Sequence, residues 1–268
     1  MSATKKIDCY QENNGVLELL TEYIYTKNET IELQRKLRKR VDEIISATNG
    51  GLVKKLATIH DYLIDNVTYK LSDNTECKTV IGALIRGQGV CIAISSAFKL
   101  LCDELEIPSL IISGIAINSP RSKIENQKPG AKDNHCWNII RDVLRKENYH
   151  IDVTWDGGLK RITRRFYFLI SDELISLDHG FEPEKYPKCR ENRSYNGDVL
   201  LVDNKHELKR IIEESKPRLI RFSRKTAPKN IEELKKLIVD CSKNIKQGSI
   251  EFKYIKEIGL AFIYFRLL

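Results

Sequence analysis

The sequence predicts an α+β fold: a helical N-terminal portion over residues 1–54, a core of helix and antiparallel strand over 55–190, and a small basic α+β lobe over 199–268. Three observations carry the prediction. Leu33, Leu37, Val41 and Ile45, then Leu52, Leu56, Ile59 and Leu63, recur at the spacing of one helix face. The runs "HCWNIIRDV" and "YHIDVTW" alternate and are separated only by the charged "LRKEN", which predicts a hairpin. From about Val199 onward short apolar runs alternate with amphipathic helical patterns.

The elements follow in order. "GVLELLTEYIYTK" (15–27) has apolar residues at helical spacing, and "TIEL" after it has the look of a short strand. "ETIELQRKLRKRVDEIISA" and "GLVKKLATIHDYLIDNVTY" predict two amphipathic helices. His60 stands at the edge of the second apolar stripe, where a structural histidine with its hydrogen bonds satisfied is expected. "GVCIAISSAFKLLCDELEIP" predicts a helix closed by Pro108, with Ile94, Phe98, Leu101 and Leu105 as its buried stripe. "SLIISGIAI" predicts a buried strand, and residues 118–134 a polar loop with two prolines, long enough to suggest a functional role. In the C-terminal lobe "DVLLV", "PRLIRF", "SIEFKYI" and "GLAFIYF" predict strands, and "HELKRIIEESK" and "NIEELKKLIVDCSK" predict helices.

Composition narrows the function classes. No apolar run approaches the roughly 18–20 residues of a membrane span, and "MSATKKIDCYQENNG" has no apolar core of a secretory signal. A cytoplasmic protein with no membrane partner is expected. The seven cysteines are odd in number and irregularly spaced, which predicts free thiols in a reducing compartment. There is no C-x-x-C pair, no metal-ligand spacing and no phosphate-binding glycine loop, so neither a metal nor a cofactor is expected. The net charge of +8 lies wholly in residues 205–268, which hold 16 basic against 8 acidic residues, while residues 1–204 hold 29 of each. Mixed signs along helices predict a solvated surface, so nucleic acid is not the expected partner; the alternative is a lobe that binds a polyanion.

Three residues have local settings that agree with one chemistry. Cys91 follows Gly87 and Gly89 and opens a helix, where unpaired N–H groups and the dipole favour a thiolate and can hold an oxyanion. The two glycines suggest backbone room for a substrate carbonyl beside it. His135 opens the first hairpin strand after the polar loop, and Asp152 sits in the second between Ile151 and Val153. A carboxylate in so apolar a strand needs a partner, and a histidine on the neighbouring strand suits. His135 would deprotonate Cys91 and Asp152 would orient the imidazole. Taken singly, each is more often structural, and a buried thiol at a helix start is commonly inert packing. Gln88 is a candidate oxyanion donor or a turn residue. Trp137 and Trp155 flank the hairpin strands as core packing, with one of them a candidate cleft residue. Cys136 alternates to the strand face opposite His135, Cys102 lies three turns along the Cys91 helix and is expected to be buried, and His179 beside Asp178 is a candidate second-site residue, with a loop histidine the favoured reading.

The segments "GQGVCIAISSAFKLLCDELEIPSLIISGIA", "HCWNII" and "YHIDVTWD" together resemble the transglutaminase-like superfamily, over roughly residues 55–180. Its pattern is Gly-x-Cys opening a helix, then a His-x-Trp strand, then an Asp-x-Thr strand. "FYFLISDELISLDHGF" resembles a stretch of bacterial members in which a Tyr-Phe segment precedes Ser-Asp and a later His. The resemblance implies a papain-like fold with Cys91 as nucleophile, His135 as base and Asp152 as orienting acid. It implies acyl transfer at a peptide or glutaminyl amide through a thioester, with hydrolysis favoured over cross-linking, and a protein or peptide as substrate. Departures are Ala93-Ile94, where many bacterial relatives carry Gly-Tyr, and Cys136 in place of a common Ala. The rival class is a binding or scaffold protein that retains the fold without activity.

Overall fold

The computed structural model describes residues 4–11, 17–116, 135–159, 164–176, 178–193, 199–214, 218–222, 226–242, 249–255 and 260–266. The polar loop expected over 118–134 lies outside the described residues.

The chain opens with strands β1 (Thr4–Gln11) and β2 (Leu17–Tyr23), which pair antiparallel. The helix expected over residues 15–27 is thus mostly strand. "LELLTEY" satisfies both periods over so short a window, and its pairing with β1, invisible locally, selects the extended form. The short strand expected in "TIEL" is instead the start of helix α1 (Lys27–Ser46). A capping box sets that start: the Thr26 hydroxyl accepts from the Glu29 N–H at 3.3 Å and the Glu29 carboxylate accepts from the Thr26 N–H at 2.8 Å. Helix α2 (Leu52–Asn66) follows as its pattern predicts. Its His60 is fully buried, with ring nitrogens 3.2 Å from Asp61 and 3.0 Å from Asp156, the satisfied structural histidine expected.

Strand β3 (Thr68–Tyr69), helix α3 (Val80–Leu84) and strand β4 (Gln88–Gly89) lead into helix α4 (Cys91–Glu104). Then come β5 (Ser109–Ala116), β6 (His135–Asp142), β7 (Glu147–Ile151), helix α5 (Val153–Leu159), β8 (Phe168–Ile170), helix α6 (Asp172–Ile175) and β9 (His179–Gly180). Five of these strands form one antiparallel sheet in the order β8-β7-β6-β5-β9. Helices α1 to α4 pack on one face through Leu56, Ile59, Leu63, Ile94, Phe98 and Leu101 against Ile140 and Ile151. The opposite face buries Ile112, Trp137, Ile139, Phe166 and Tyr167. This is the papain-like arrangement of a cysteine-bearing helix on an antiparallel sheet.

One strand boundary differs from expectation. The run "YHIDVTW" is not one strand: β7 stops at Ile151 and helix α5 begins at Val153. Asp152 is the joint, because its Oδ1 accepts the Trp155 backbone N–H at 3.0 Å as an N-cap.

The C-terminal lobe follows the expected sequence of elements: β10 (Val199–Val202), α7 (Lys205–Glu213), β11 (Arg218–Phe222), α8 (Ile231–Cys241), β12 (Ser249–Ile255) and β13 (Leu260–Arg266). Its sheet runs β10-β11-β13-β12. Only β10 and β11 are parallel, and α7 supplies the crossover that a parallel pair needs. Val202, Leu208, Ile212, Ile220, Leu234 and Ile238 form its separate core. Among the described residues no helix is long and apolar enough to cross a membrane.

Candidate active site

Helix α4 begins at Cys91 with Val90 as an N-cap that makes no side-chain cap; the Ala93 N–H donates to the Val90 carbonyl at 3.0 Å, and the Cys91 and Ile92 N–H groups have no intrahelical acceptor. The glycines before it have other duties than leaving room. Gly87 takes a left-handed φ of +66°, and a Cβ on Gly89 would meet the Ala93 Cβ at 2.8 Å and the Cys77 carbonyl at 3.2 Å. The expected space beside Gly89 is filled by protein: these glycines turn β4 and let it lie against the first turn of α4. Gln88 stands half-buried on β4, paired with Thr68, three residues ahead of the cysteine.

Polar bonds lock α4 to β6. The Ser95 hydroxyl, one turn beyond Cys91, donates to the Cys136 carbonyl at 2.9 Å. The buried Asn138 amide donates to the Ser95 carbonyl at 3.1 Å and to that of Leu110 at 3.3 Å. The clamp brings the Cys91 thiol to the start of β6, where the side chains of His135 and Cys136 are its polar neighbours. Cys136 does alternate away from His135 along the strand, yet its thiol is a neighbour of Cys91, and it also lies 3.6 Å from the Ser113 hydroxyl. Cys102 is fully buried, as expected.

The hairpin supplies the carboxylate. Asn138 pairs with Ile151 across β6 and β7, so the register continued one step sets Asp152 opposite Trp137 and diagonal to His135 on the same face. The His135 Nε2 lies 2.6 Å from the Asp152 Oδ2. Both groups are buried, His135 at 5% exposure and Asp152 at 0%.

Electrostatics distribute the protons. The hydrogen bond with the Cys136 thiol, then burial, push the Cys91 thiol up to about 12, and His135 only partly opposes them. The lowering expected from the helix start does not prevail, because the thiol is enclosed and has a second thiol against it. Burial disfavours the His135 imidazolium, but the Asp152 charge and hydrogen bond outweigh it and raise the histidine above its ordinary value. Burial would raise the Asp152 carboxyl, and His135 and His179 hold it well below the usual range instead.

His179, for which a loop residue was the favoured expectation, instead joins the site. It is buried on β9, with Nε2 3.1 Å from the Asp152 Oδ2 and Nδ1 2.6 Å from the Asp178 Oδ1. Asp178 in turn accepts from the Tyr167 hydroxyl at 2.9 Å and pairs with Arg221 of β11. The Arg221 guanidinium lies over the rings of Phe166 at 4.4 Å and Tyr167 at 5.0 Å. The sequence signal for Arg221 was present: a charge between Ile220 and Phe222, as Asp152 is a charge between Ile151 and Val153.

The two tryptophans enclose this network. Trp137 is fully buried and stacks on His135 with centroids 5.7 Å apart, and its indole N–H donates to the His150 Nδ1 at 3.0 Å. Trp155 is half-buried, 4.6 Å from the His179 ring and 6.1 Å from His135, so it borders the site as the cleft candidate.

Among the described residues, two groups bring metal-ligating atoms within 4.8 Å: His135, Asp152 and His179, and His150, Asp172 and Cys189. In the first, both Nε2 atoms are spent on Asp152. In the second, the Trp137 N–H on Nδ1 puts the His150 proton on Nε2, which donates to Asp172 at 2.8 Å and has no lone pair for a metal.

Comparisons bear on this geometry. Residues 38–151 match the family model described as the transglutaminase-like superfamily, ending one residue before Asp152. A search of curated proteins returns no match. Among solved structures, a proposed cysteine protease from Cytophaga hutchinsonii is 16% identical with a TM-score of 0.34, covering 56% of this chain and 61% of its own. A structure described as a TGase is 12% identical with a TM-score of 0.38, covering 76% of this chain and 53% of its own. The chain therefore spans about three-fifths and about half of the lengths of these two structures.

Proposed function

From the transglutaminase-like superfamily core of residues 38–151, we propose that the protein is a cysteine-dependent acyl-transfer enzyme acting on a peptide or glutaminyl amide, with hydrolysis favoured over cross-linking. The observation that carries this reading is the run of contacts from the Cys91 thiol through the His135 ring to the Asp152 carboxylate at 2.6 Å.

Each residue has a task that its surroundings support. Nε2 of His135 is engaged with Asp152, which leaves Nδ1 to take the Cys91 proton. The sulfur then attacks the amide carbonyl carbon, and the oxyanion that forms meets the first N–H groups of α4, with the Gln88 amide as a further candidate donor. His135 returns its proton to the leaving nitrogen as the C–N bond breaks, and a thioester remains on Cys91. Water, deprotonated by His135, releases the acid; an amine in its place would give a new amide. Asp152 keeps the imidazole oriented and supports its charged form.

Trapping tests the reading. The full chain is incubated with a library of glutamine-containing peptides carrying a cysteine-reactive group, and intact mass and peptide mapping locate the adduct. Adduct on Cys91, absent in Cys91→Ala and slowed by about 10²-fold or more in His135→Ala, is the expected result. Alkylation of Cys91 no faster than that of Cys241 or Cys189 overturns it. Adding a primary amine to the turnover reaction then divides hydrolysis from transfer.

A further inference from the structure

We propose that Arg221, carried by the C-terminal lobe, is a positioning residue for the Cys91–His135–Asp152 site, acting through Asp178 and His179. The proposal rests on the acyl-transfer reading for its consequence, but its geometry stands separately.

Arg221 is 1% exposed although it lies on the strand of a separate lobe with its own core. Its Nη2 pairs with Asp178, and its plane lies over Phe166 and Tyr167, two residues of the sheet's second core. A guanidinium loses much hydration on such burial, and only a firmly anionic partner compensates. Asp178 is that partner: burial would raise its carboxyl, but Arg221 and His179 hold it below the usual range.

The charge then passes inward by hydrogen bonds. His179 uses Nδ1 on the Asp178 carboxylate and Nε2 on that of Asp152. A neutral imidazole has one N–H, so bonding two carboxylates with both nitrogens requires the imidazolium. His179 is accordingly raised above its ordinary value despite burial, by Asp152 and Asp178. The charged groups that face it are Asp152, Asp178 and the His135 ring at 5.4 Å, with Trp137, Trp155 and Tyr167 as its aromatic walls. A positive His179 shares the Oδ2 atom that His135 uses. It moderates how strongly Asp152 favours the His135 imidazolium, and so keeps His135 available as a base at lower pH. Without Arg221 to offset its burial, Asp178 would take up a proton; His179 would then lose one of the two carboxylates that hold its charge, and Asp152 would hold the His135 proton more tightly.

The experiment reads His135 directly. The chain has five histidines, so each imidazole signal can be assigned by substitution in NMR titrations of the full chain. Arg221→Gln and Asp178→Asn are expected to move the His135 midpoint upward by about half a pH unit or more, with Arg221→Lys restoring most of the difference. The His135-dependent limb of Cys91 alkylation is expected to move with it. A folded Arg221→Gln or Asp178→Asn variant whose His135 midpoint stays at the wild-type value overturns the proposal, even if its melting temperature falls, because loss of lobe packing alone lowers stability without moving that midpoint. If Arg221→Gln does not fold, Asp178→Asn decides in the same way. Cys91 alkylation that is indifferent to His135→Ala would overturn the acyl-transfer reading and leave the NMR result to decide the role of Arg221.

Discussion

Asp152 does two jobs with one side chain. Its Oδ1 caps α5 and its Oδ2 receives both histidines. This explains how a fully buried carboxylate remains ionised: bonds to charged and backbone donors outweigh desolvation. Cys91 is in the opposite position, because its largest perturbing neighbour is a thiol. Removing that neighbour should release it. Cys136→Ala is expected to lower the pH midpoint of Cys91 alkylation and to speed the reaction at neutral pH several-fold, measured with iodoacetamide and mass spectrometry. A slower reaction in that variant would show that Cys136 assists the nucleophile.

At the scale of elements, the distance from thiol to imidazole is set by how α4 lies on β6. Asn138 is the clamp, since it ties the Ser95 carbonyl on the helix to the Leu110 carbonyl on β5. Asn138→Ala leaves the buried Ser95 carbonyl and the part-buried Leu110 carbonyl each short of a donor and is expected to cost about 1–3 kcal/mol, read by denaturant unfolding. It should also slow Cys91 alkylation, because the helix start is no longer tied to the strand start. Unchanged reactivity in a destabilised variant would mean that the apolar packing of Ile94 and Phe98 sets the spacing instead. The bulge at β8 is a second device. Leu169 takes a φ of +57°, rare for a bulky side chain, and the pairing skips it between His150 and Ile151. Just before it, the Phe166 and Tyr167 N–H groups donate to the Asp156 carboxylate, at 2.8 and 2.9 Å.

At the scale of the molecule, buried histidines link protonation to folding. His60, His135 and His179 are all raised above the ordinary value, so the folded chain binds their protons more tightly than the unfolded one. Their stabilisation is complete below the unfolded value of about 6.5 and is lost as pH climbs through the folded values. His150, which burial lowers, acts in the opposite sense. Melting temperature is therefore expected to fall as pH rises above about 6.5, and His179→Gln should flatten that fall. A profile that rises over this range, or one that His179→Gln leaves unchanged, would contradict the assignment of charge.

By itself the sequence determined the amphipathic helices, the hairpin and the alternating elements after Val199, and it singled out Cys91, His135 and Asp152 as candidates. Each of these depends on local periodicity, on a cap, or on a polar residue set in an apolar run. Where periodicity was short and served two states, as in "LELLTEY", the β1 partner decided, and where Asp152 capped a helix, strand alternation misled. Only the tertiary structure brought Cys136 against Cys91, His179 to Asp152, and Arg221 across from another lobe to Asp178. These contacts join residues 45, 27 and 43 positions apart, respectively. Buried charges must find partners wherever the packed chain brings them, and sequence separation says little about where that is.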